Sequence, residues 1–543
     1  MGTSSREPPR EPGSAEPERR PGLRAAIEAV LPAARFGDER VILAGTGQNV
    51  IGLVVAVVAT FVAQVLITRF LGPAAYGVIT VATQTAFVGA AATRFGMDMA
   101  AVRRVAIELG RGERARVRAV VARAAGIATL VSAAAAVGLL AAGDLLGEAL
   151  TSHAEGPAAF RAAAAALPVA ALVQVYLGGT RGLKVMRHTL WIFWVGQHLS
   201  CIALMLLFWW AGPILGLDLA TPAGTVLAYA GSWALATGGA AWAWRRETRG
   251  FGQEPPEPGE TRELLRYGAP RAPAALFTQL IFWADLYVLA RLASSFEVGV
   301  YAAAVRAAQV ILLFLASVNL MFSPFVADLY ARGDRDRLGA LYKSLTRWVL
   351  AASIPIIVVL VSAPGPILRL FGGEFEAGRT ALVILAVGQL VNVATGSVGF
   401  ILIMVGRTGW DLAVQAAALA LDVLVAATLI PHLGMRGAAV AGAVTMAISN
   451  VARLALVRRF VGIQPYTRDY LRLLWPTVAA LAAGWVAGRV TSGAAWQIQL
   501  VAVGGGAGAV YAAVLVAVGL RPAERRALAG LITAVRGRRG PAT

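Results

Sequence analysis

Long apolar stretches separated by short polar ones dominate the sequence. Fourteen such stretches of about 20 residues follow one another, and a helix of about 20 residues crosses a hydrocarbon core of about 30 Å. Because backbone polar groups cannot stay unpaired in lipid, the pattern predicts an all-α integral membrane protein. The predicted spans are 43–68, 76–97, 119–142, 158–180, 189–211, 224–244, 267–290, 299–322, 348–370, 379–405, 411–431, 437–457, 471–489 and 496–519.

Composition agrees with this fold class and excludes others. Hydrophobic residues make up 58% of the 543 residues and charged residues only 15%, whereas soluble domains carry about 25% charged residues. The net charge of +19 does not indicate nucleic-acid binding, because the cations lie in short segments between the apolar stretches. One cysteine and four scattered histidines make a metal site or a metal cofactor unexpected.

The distribution of lysine and arginine predicts the orientation. With the N-terminus inside, the inner segments carry 37 of the 49 cations, the outer loops carry 7 and the spans carry 5. Cytoplasmic loops of membrane proteins hold the excess of these residues, so both termini are predicted to be cytoplasmic. Tryptophans near many span ends are typical of the membrane interface.

An internal repeat divides the spans into two halves. The segment 68–82 aligns without gaps on 290–304, with Gly77 matching Gly299 at an offset of 222. Six helices separate the copies, so the halves are predicted to be parallel six-helix lobes, an architecture that places a transporter's substrate between them. The predicted organisation is a disordered or interfacial N-terminus at 1–40, a first lobe at 41–245, a cytoplasmic linker at 246–266, a second lobe at 267–460, a C-terminal helix pair at 461–519 and a basic cytoplasmic tail at 520–543.

Arginines inside the spans are candidates for a cationic cavity. Charged groups in a membrane are costly and usually face a cavity or a partner, and the guanidinium fork matches phosphate oxygens. Arg306 lies about two turns inside the eighth span, and Arg271 lies where two flanking prolines are expected to break the helix. Arg94 precedes Asp98 by four residues, which also permits a local ion pair. Snorkelling or pairing between the lobes is the alternative for each of these arginines.

Two acids inside the spans, Asp285 and Asp422, are candidates for ion coupling or for a charge pair. Either could carry H⁺ or hold Na⁺, and either could be a structural partner. Asp285 and Arg306 are predicted at similar depths on consecutive helices. A buried charge without a partner is costly, so a salt bridge between them that opens for a diphosphate is a further hypothesis.

Four motifs resemble the oligosaccharide flippases of the polysaccharide biosynthesis family. They are RFLGPAAYG at 69–77, FWADLYVLARL with VGVYAAAVRAAQ at 282–309, LRLFGGEFEAG at 368–378 and LIPHLGMRGAA at 429–439. That family belongs to the superfamily of the multidrug and toxin extrusion transporters and the lipid II flippases. The resemblance covers most of the chain. Asp422 departs from it, since the family often has a neutral residue there.

The resemblance implies a flippase that moves a polyprenyl-diphosphate-linked oligosaccharide across the bacterial plasma membrane by alternating access. It implies no organic cofactor and no catalytic residue, and a glycan polymerase or glycosyltransferases as candidate partners. A multidrug antiporter of the same fold is the nearest alternative, but five arginines against two clear acids within the spans favour an anionic substrate. A membrane-embedded glycan polymerase or ligase and a non-transporting scaffold are the alternatives of other classes.

Overall fold

A computed structural model describes residues 39–252, 254, 259–269 and 271–520. The properties predicted for the N-terminal stretch and for the basic tail therefore fall almost wholly outside the described residues. Every regular element among the described residues is helical. The chain is thus an all-α membrane protein, as the apolar pattern predicts.

The first lobe comprises the helices before residue 248. A single run, α1, contains two predicted spans, and it is broken at Gly72, whose φ of 78° lies in the left-handed region, immediately before Pro73. A π-helical turn, Thr189–Gly196, leads into α7. The helices of this lobe are α1 (Glu39–Thr93), α2 (Met97–Gly110), α3 (Arg114–Ala141), α4 (Gly143–Leu150), α5 (Gly156–Ala164), α6 (Ala166–Gly182), α7 (Gln197–Leu215) and α8 (Pro222–Glu247).

The helices after residue 259 form the second lobe and the C-terminal pair. The helices are α9 (Glu260–Gly268), α10 (Arg271–Leu292), α11 (Ser295–Gln309), α12 (Leu312–Ala331), α13 (Arg335–Ser362), α14 (Pro364–Leu368), α15 (Arg379–Thr395), α16 (Val398–Met404), α17 (Thr408–Leu433), α18 (Met435–Val461), α19 (Leu474–Val490) and α20 (Trp496–Val514). The 3₁₀ turns Gly373–Gly378 and Arg468–Leu473 and the π turn Leu515–Gly519 complete them.

The helices coincide with the predicted spans. Among the described residues, 11 helices are long and apolar enough to cross a membrane, or 12 when α11 and the start of α12, which bend by 52°, count as one span. One of those runs contains the break at Gly72 and so holds two predicted spans. The remaining predicted span is covered by α8, a helix of 26 residues that falls outside this set. The bend and the breaks are features that hydropathy does not reveal.

The lobes meet closely at one end of the bundle, which we call the glycine end. A Cβ atom added to Gly299 would lie 1.9 Å from the carbonyl oxygen of Pro73 and 3.0 Å from the nitrogen of Gly77. A Cβ atom added to Gly77 would lie 2.9 Å from the nitrogen of Gly299. The two glycines that match in the sequence repeat therefore contact each other, and neither position has room for a side chain.

Two reciprocal contacts flank this glycine pair. The Nη2 atom of Arg69 in the first lobe donates to the carbonyl oxygen of Arg369 at 2.6 Å, and its Nε donates to that of Leu370 at 3.0 Å. On the other side, the backbone nitrogen of Ser295 in the second lobe donates to the hydroxyl of Ser152 at 2.8 Å. The loop between the first two spans of each lobe thus contacts the loop between the third and fourth spans of the other lobe.

The opposite end, which we call the linker end, carries the connection between the lobes. Arg104 of α2 lies within 3.8 Å of Glu260 and 3.3 Å of Glu263, both on α9. The Nη1 atom of Arg123 on α3 donates to the hydroxyl of Thr261 at 2.6 Å. Helix α9 is therefore fastened to the first lobe, and the chain passes to the second lobe only after Gly268.

Candidate functional site

A cavity of about 360 Å³ lies within the first lobe, against α10 and α11 of the second. Aromatic rings, amides and hydroxyls form most of its wall, and none of the described residues that line it is acidic. The side chains that define its chemistry are Gln64, Tyr76, Thr80, Thr83, Gln84, Phe87, Phe193, Trp194, Gln197, His198, Thr225, Tyr229, Trp233, Trp283 and Arg306. We call it the aromatic cavity.

Arg306 is the cation of the aromatic cavity, and it comes from the second lobe. Its guanidinium lies 4.8 Å from the centre of the Trp283 ring, and Nη1 donates to Oε1 of Gln309 at 3.2 Å. The hydroxyls of Tyr76 and Tyr229 also interact with it. Since these partners are uncharged, Arg306 leaves a positive charge in a largely apolar site, where an anion is strongly favoured.

A second cavity, of about 270 Å³, lies within the second lobe and contains both candidate acids. We call it the acidic cavity. The hydroxyl of Tyr301 donates to Oδ2 of Asp285, and Oδ1 accepts from the backbone nitrogen of Leu286 at 2.7 Å. Oδ1 of Asp422 is buried without a hydrogen-bond partner. The amides of Gln389, Asn392 and Asn450 supply further oxygen atoms along the wall.

An ion pair stands at the side of the acidic cavity nearer the linker end. Nε of Arg453 lies 2.8 Å from Oδ1 of Asp411, and Nε2 of Gln415 donates to Oδ2 of the same carboxylate at 2.5 Å. Asp411 is 4% exposed, so its charge is paired away from water. The guanidinium of Arg453 is therefore engaged by a carboxylate beside the cavity.

The predicted site residues do not gather in one place. Arg306 lines the aromatic cavity, whereas Asp285 and Asp422 line the acidic cavity. Arg94 lies 3.6 Å from Asp98, the local pair that its spacing permits, and Arg271 is exposed at the start of α10. Among the described residues, no hydrogen bond or ion pair joins Asp285 to Arg306, so the hypothesised bridge is not formed in this conformation.

Two tyrosines important to the geometry were not singled out as site residues. Tyr76 lies in the motif RFLGPAAYG and reaches Arg306, while Tyr301 holds Asp285. Both occur in the motifs that carry the family resemblance, and each lies close to a paired glycine: Tyr76 directly precedes Gly77, and Tyr301 follows Gly299 by two residues. Their position in those motifs is the sequence feature that could have identified them as site residues. In the described part of the chain, no group of three or more His, Cys, Asp or Glu side chains could hold a metal ion.

A two-lobed membrane bundle with broken helices and one polar cavity in each lobe defines a secondary transporter. The chain belongs to the polysaccharide biosynthesis protein family, whose model matches residues 42–328, more than half of the 543 residues. The MatE family model also matches, over residues 270–428. The chain is therefore a transporter of the superfamily that contains flippases and multidrug extruders, and it is not an enzyme.

Solved structures of this superfamily share the fold. The lipid II flippase MurJ, in an inward closed conformation, has a TM-score of 0.66 at 13% identity, covering 86% of this chain and 97% of that one. An inward-facing multidrug resistance MATE family transporter has a TM-score of 0.64 at 16% identity, covering 75% and 95%.

One curated relative is named as a glycan biosynthesis flippase. The probable low-salt glycan biosynthesis flippase Agl15 of Haloferax volcanii is 23% identical over 221 residues, which are 40% of this chain and 46% of that protein. The match thus spans about half the length of that relative, and it supports a flippase of the same superfamily.

Proposed function

We propose that this protein flips a polyprenyl-diphosphate-linked oligosaccharide across the plasma membrane of a bacterium, by alternating access, for cell-surface polysaccharide synthesis. The observation that carries the proposal is Arg306, a cation without an acidic partner in a cavity whose lining contains no acid. Such a site attracts a diphosphate and repels an organic cation. The named curated relative is archaeal, so the bacterial membrane belongs to the proposal.

The remaining wall of the aromatic cavity suits a glycan. The rings of Phe193, Trp194 and Trp233 offer flat apolar faces, and the amides of Gln64 and Gln197 offer both donors and acceptors. A sugar presents the complementary combination of apolar faces and hydroxyl groups. In this arrangement Arg306 holds the diphosphate while rings and amides hold the adjoining sugars.

The acidic cavity is the proposed site of ion coupling. Two carboxylates that share a buried space repel each other, so they either retain a proton or hold a cation. Asp285 and Asp422 are the coupling residues, and H⁺ and Na⁺ are the candidate ions. The tyrosine hydroxyl and the amide oxygens nearby would complete the oxygen environment that such an ion prefers.

The contact between the lobes at the glycine end sets the proposed direction of access. The excess of arginine at the linker end supports a cytoplasmic location for that end. In this conformation the glycine end closes the path to the outside, so substrate enters from the cytoplasmic side. Opening requires separation of the Gly77–Gly299 contact and of the two flanking contacts.

Replacement of Arg306 tests the substrate class. Arg306→Gln keeps a similar shape and hydrogen-bonding capacity but removes the charge, so we expect glycan export to fall about tenfold or more. Arg306→Lys keeps the charge without the fork, so partial activity is expected. The measurement is surface glycan display in cells that depend on this protein, normalised to its amount in the membrane.

A matched control is Arg332→Gln, which alters an exposed arginine paired with Asp328 and is expected to leave export unchanged. Normal glycan display with Arg306→Gln would contradict the proposal. A multidrug antiporter is the second candidate, because the acidic cavity could attract organic cations. Unchanged glycan display together with altered drug resistance in the Asp422→Asn variant would favour that candidate.

The orientation is tested by labelling two glycines that have open space for a side chain. No atom lies within 4 Å of a Cβ atom added to Gly250 at the linker end or to Gly493 at the opposite end. In a Cys201→Ala background, an impermeant thiol reagent should label Gly493→Cys in intact cells and Gly250→Cys only after permeabilisation. The reverse pattern would invert the proposed direction.

A further inference from the structure

A second group of arginines lies at the linker end, apart from the aromatic cavity. Arg94 ends the first long run of helix, Arg181 lies in the last turn of α6, and Arg271 begins α10. A Cβ atom added to Gly96 would lie 2.9 Å from the Cβ of Arg271, and the charge of Arg181 interacts with those of Arg94 and Asp98. Three elements therefore bring these arginines to one turn of the chain.

The charges of this group are only partly balanced. Asp98 is shared, since it lies 3.6 Å from Nε of Arg94 and also interacts with Arg181. Arg181 donates one long hydrogen bond, to the carbonyl oxygen of Gln174 at 3.5 Å, and its Nε is buried without an acceptor. Arg271 donates to the hydroxyl of Tyr267 at 3.4 Å and lies over its ring. In the described part of the chain, Asp98 is thus the carboxylate that Arg94 and Arg181 share, and Tyr267 is the phenol that contacts Arg271.

A constrained turn fixes these side chains. Phe95 has a φ of 53° and Gly96 a φ of 69°, and a positive φ is unusual for a bulky residue. Gly268 packs against this turn, because a Cβ atom there would lie 2.2 Å from the carbonyl oxygen of Phe95. Strained backbone persists only where its surroundings enforce it. The turn and the base of α10 therefore hold Arg94 and Arg271 as neighbours.

This group is separate from Arg306 along the membrane normal. In the repeat, Arg306 corresponds to Gln84, at the same offset that relates Gly77 to Gly299. Arg94 follows Gln84 by ten residues on the same helix, which is about 15 Å at 1.5 Å per residue. The linker-end arginines therefore lie at a different depth from Arg306, which suits an earlier position of the same ligand.

We propose that Arg94, Arg181 and Arg271 form a loading site that binds the diphosphate of the lipid-linked substrate before it moves to Arg306. The inference rests on the proposed function. Guanidinium forks match the oxygens of a diphosphate, and charge-assisted hydrogen bonds are the strong ones. The unpaired Nε of Arg181 provides a buried donor whose cost is offset when an anion arrives. Loading then concentrates substrate at the cytoplasmic entrance.

Binding to the full-length protein in phosphatidylcholine nanodiscs tests this site, with geranylgeranyl diphosphate as the probe. Arg181→Gln and Arg271→Gln should each weaken binding about tenfold to a hundredfold. Arg181→Lys should retain more binding than Arg181→Gln, and Arg271→Gln, at an exposed position, should fold normally. Arg332→Gln is the matched control at the same end of the bundle. Unchanged binding in both Gln variants, with binding lost in Arg306→Gln, would overturn the loading site and leave the proposed function intact.

Transport rates distinguish loading from translocation. In proteoliposomes, Arg271→Gln should raise the half-saturating substrate concentration and leave the maximal rate unchanged, whereas Arg306→Gln should lower the maximal rate. A fall in maximal rate for Arg271→Gln would contradict loading. Competition identifies the source of the phosphate. If phosphatidylglycerol displaces the probe as well as excess probe does, the site binds phospholipid and the proposal fails. Absence of probe binding even to the unchanged protein would instead refute the proposed function.

Discussion

The aromatic and acidic cavities differ in charge although repeated halves of one sequence build them. At the repeat offset of 222, Ala63 corresponds to Asp285 and Gln84 corresponds to Arg306. Ala63 lines the aromatic cavity and Asp285 the acidic one, while Arg306 extends from the second lobe into the first. Individual positions on a shared scaffold thus separate a site suited to an anion from one suited to a cation. The specialisation resides in side chains and not in the path of the backbone.

The largest expected effect comes from neutralising the acidic cavity. In the Asp285→Asn, Asp422→Asn double variant, no carboxylate remains there to carry a coupling ion. One charge moving through 100 mV supplies about 2.3 kcal/mol, so gradient-driven transport in proteoliposomes should fall roughly fiftyfold. Binding of a diphosphate lipid at Arg306 should persist, because that site lies in the other cavity.

The control for that experiment is Asp328→Asn, which removes an acid that is half exposed and paired with Arg332. If gradient-driven transport persists in the double variant, the acidic cavity is not the site of ion coupling. Loss of diphosphate binding as well would mean that they do not act separately.

A smaller effect is expected from replacing Trp283, whose ring contacts the guanidinium of Arg306. Trp283→Phe keeps an aromatic face, so we expect about a threefold loss of affinity for a diphosphate lipid. Trp283→Leu removes the face, and the loss should be about tenfold to thirtyfold, since a desolvated cation–π contact contributes about 2 kcal/mol. Isothermal titration of the purified variants measures both. Equal losses in the two variants would show that ring volume, and not its interaction with the cation, positions Arg306.

Sequence predicted the helices of the bundle well and the grouping of the charges poorly. The length of the apolar stretches and the arginine bias both report position along the membrane normal, and the helices follow the predicted spans. Depth on that axis also placed Asp285 and Arg306 at the same level. It did not give their rotation: Asp285 faces Gly442 on α18, where an added Cβ would lie 2.9 Å from its Oδ2, while Arg306 faces the first lobe. The direction of a side chain around the helix axis changes by about 100° per residue. A shift of one residue in a prediction therefore assigns the side chain to another cavity.

The paired glycines also bear on how this chain came to be. A residue on a two-fold axis meets its own copy, as in any isologous dimer, and Gly77 meets Gly299 in that way. In an ancestor made of two identical halves, one mutation would have altered both sides of the contact at once. In the present chain the two codons mutate separately, and each glycine faces the other. Relatives that change one of these glycines should therefore carry a compensating change beside its partner.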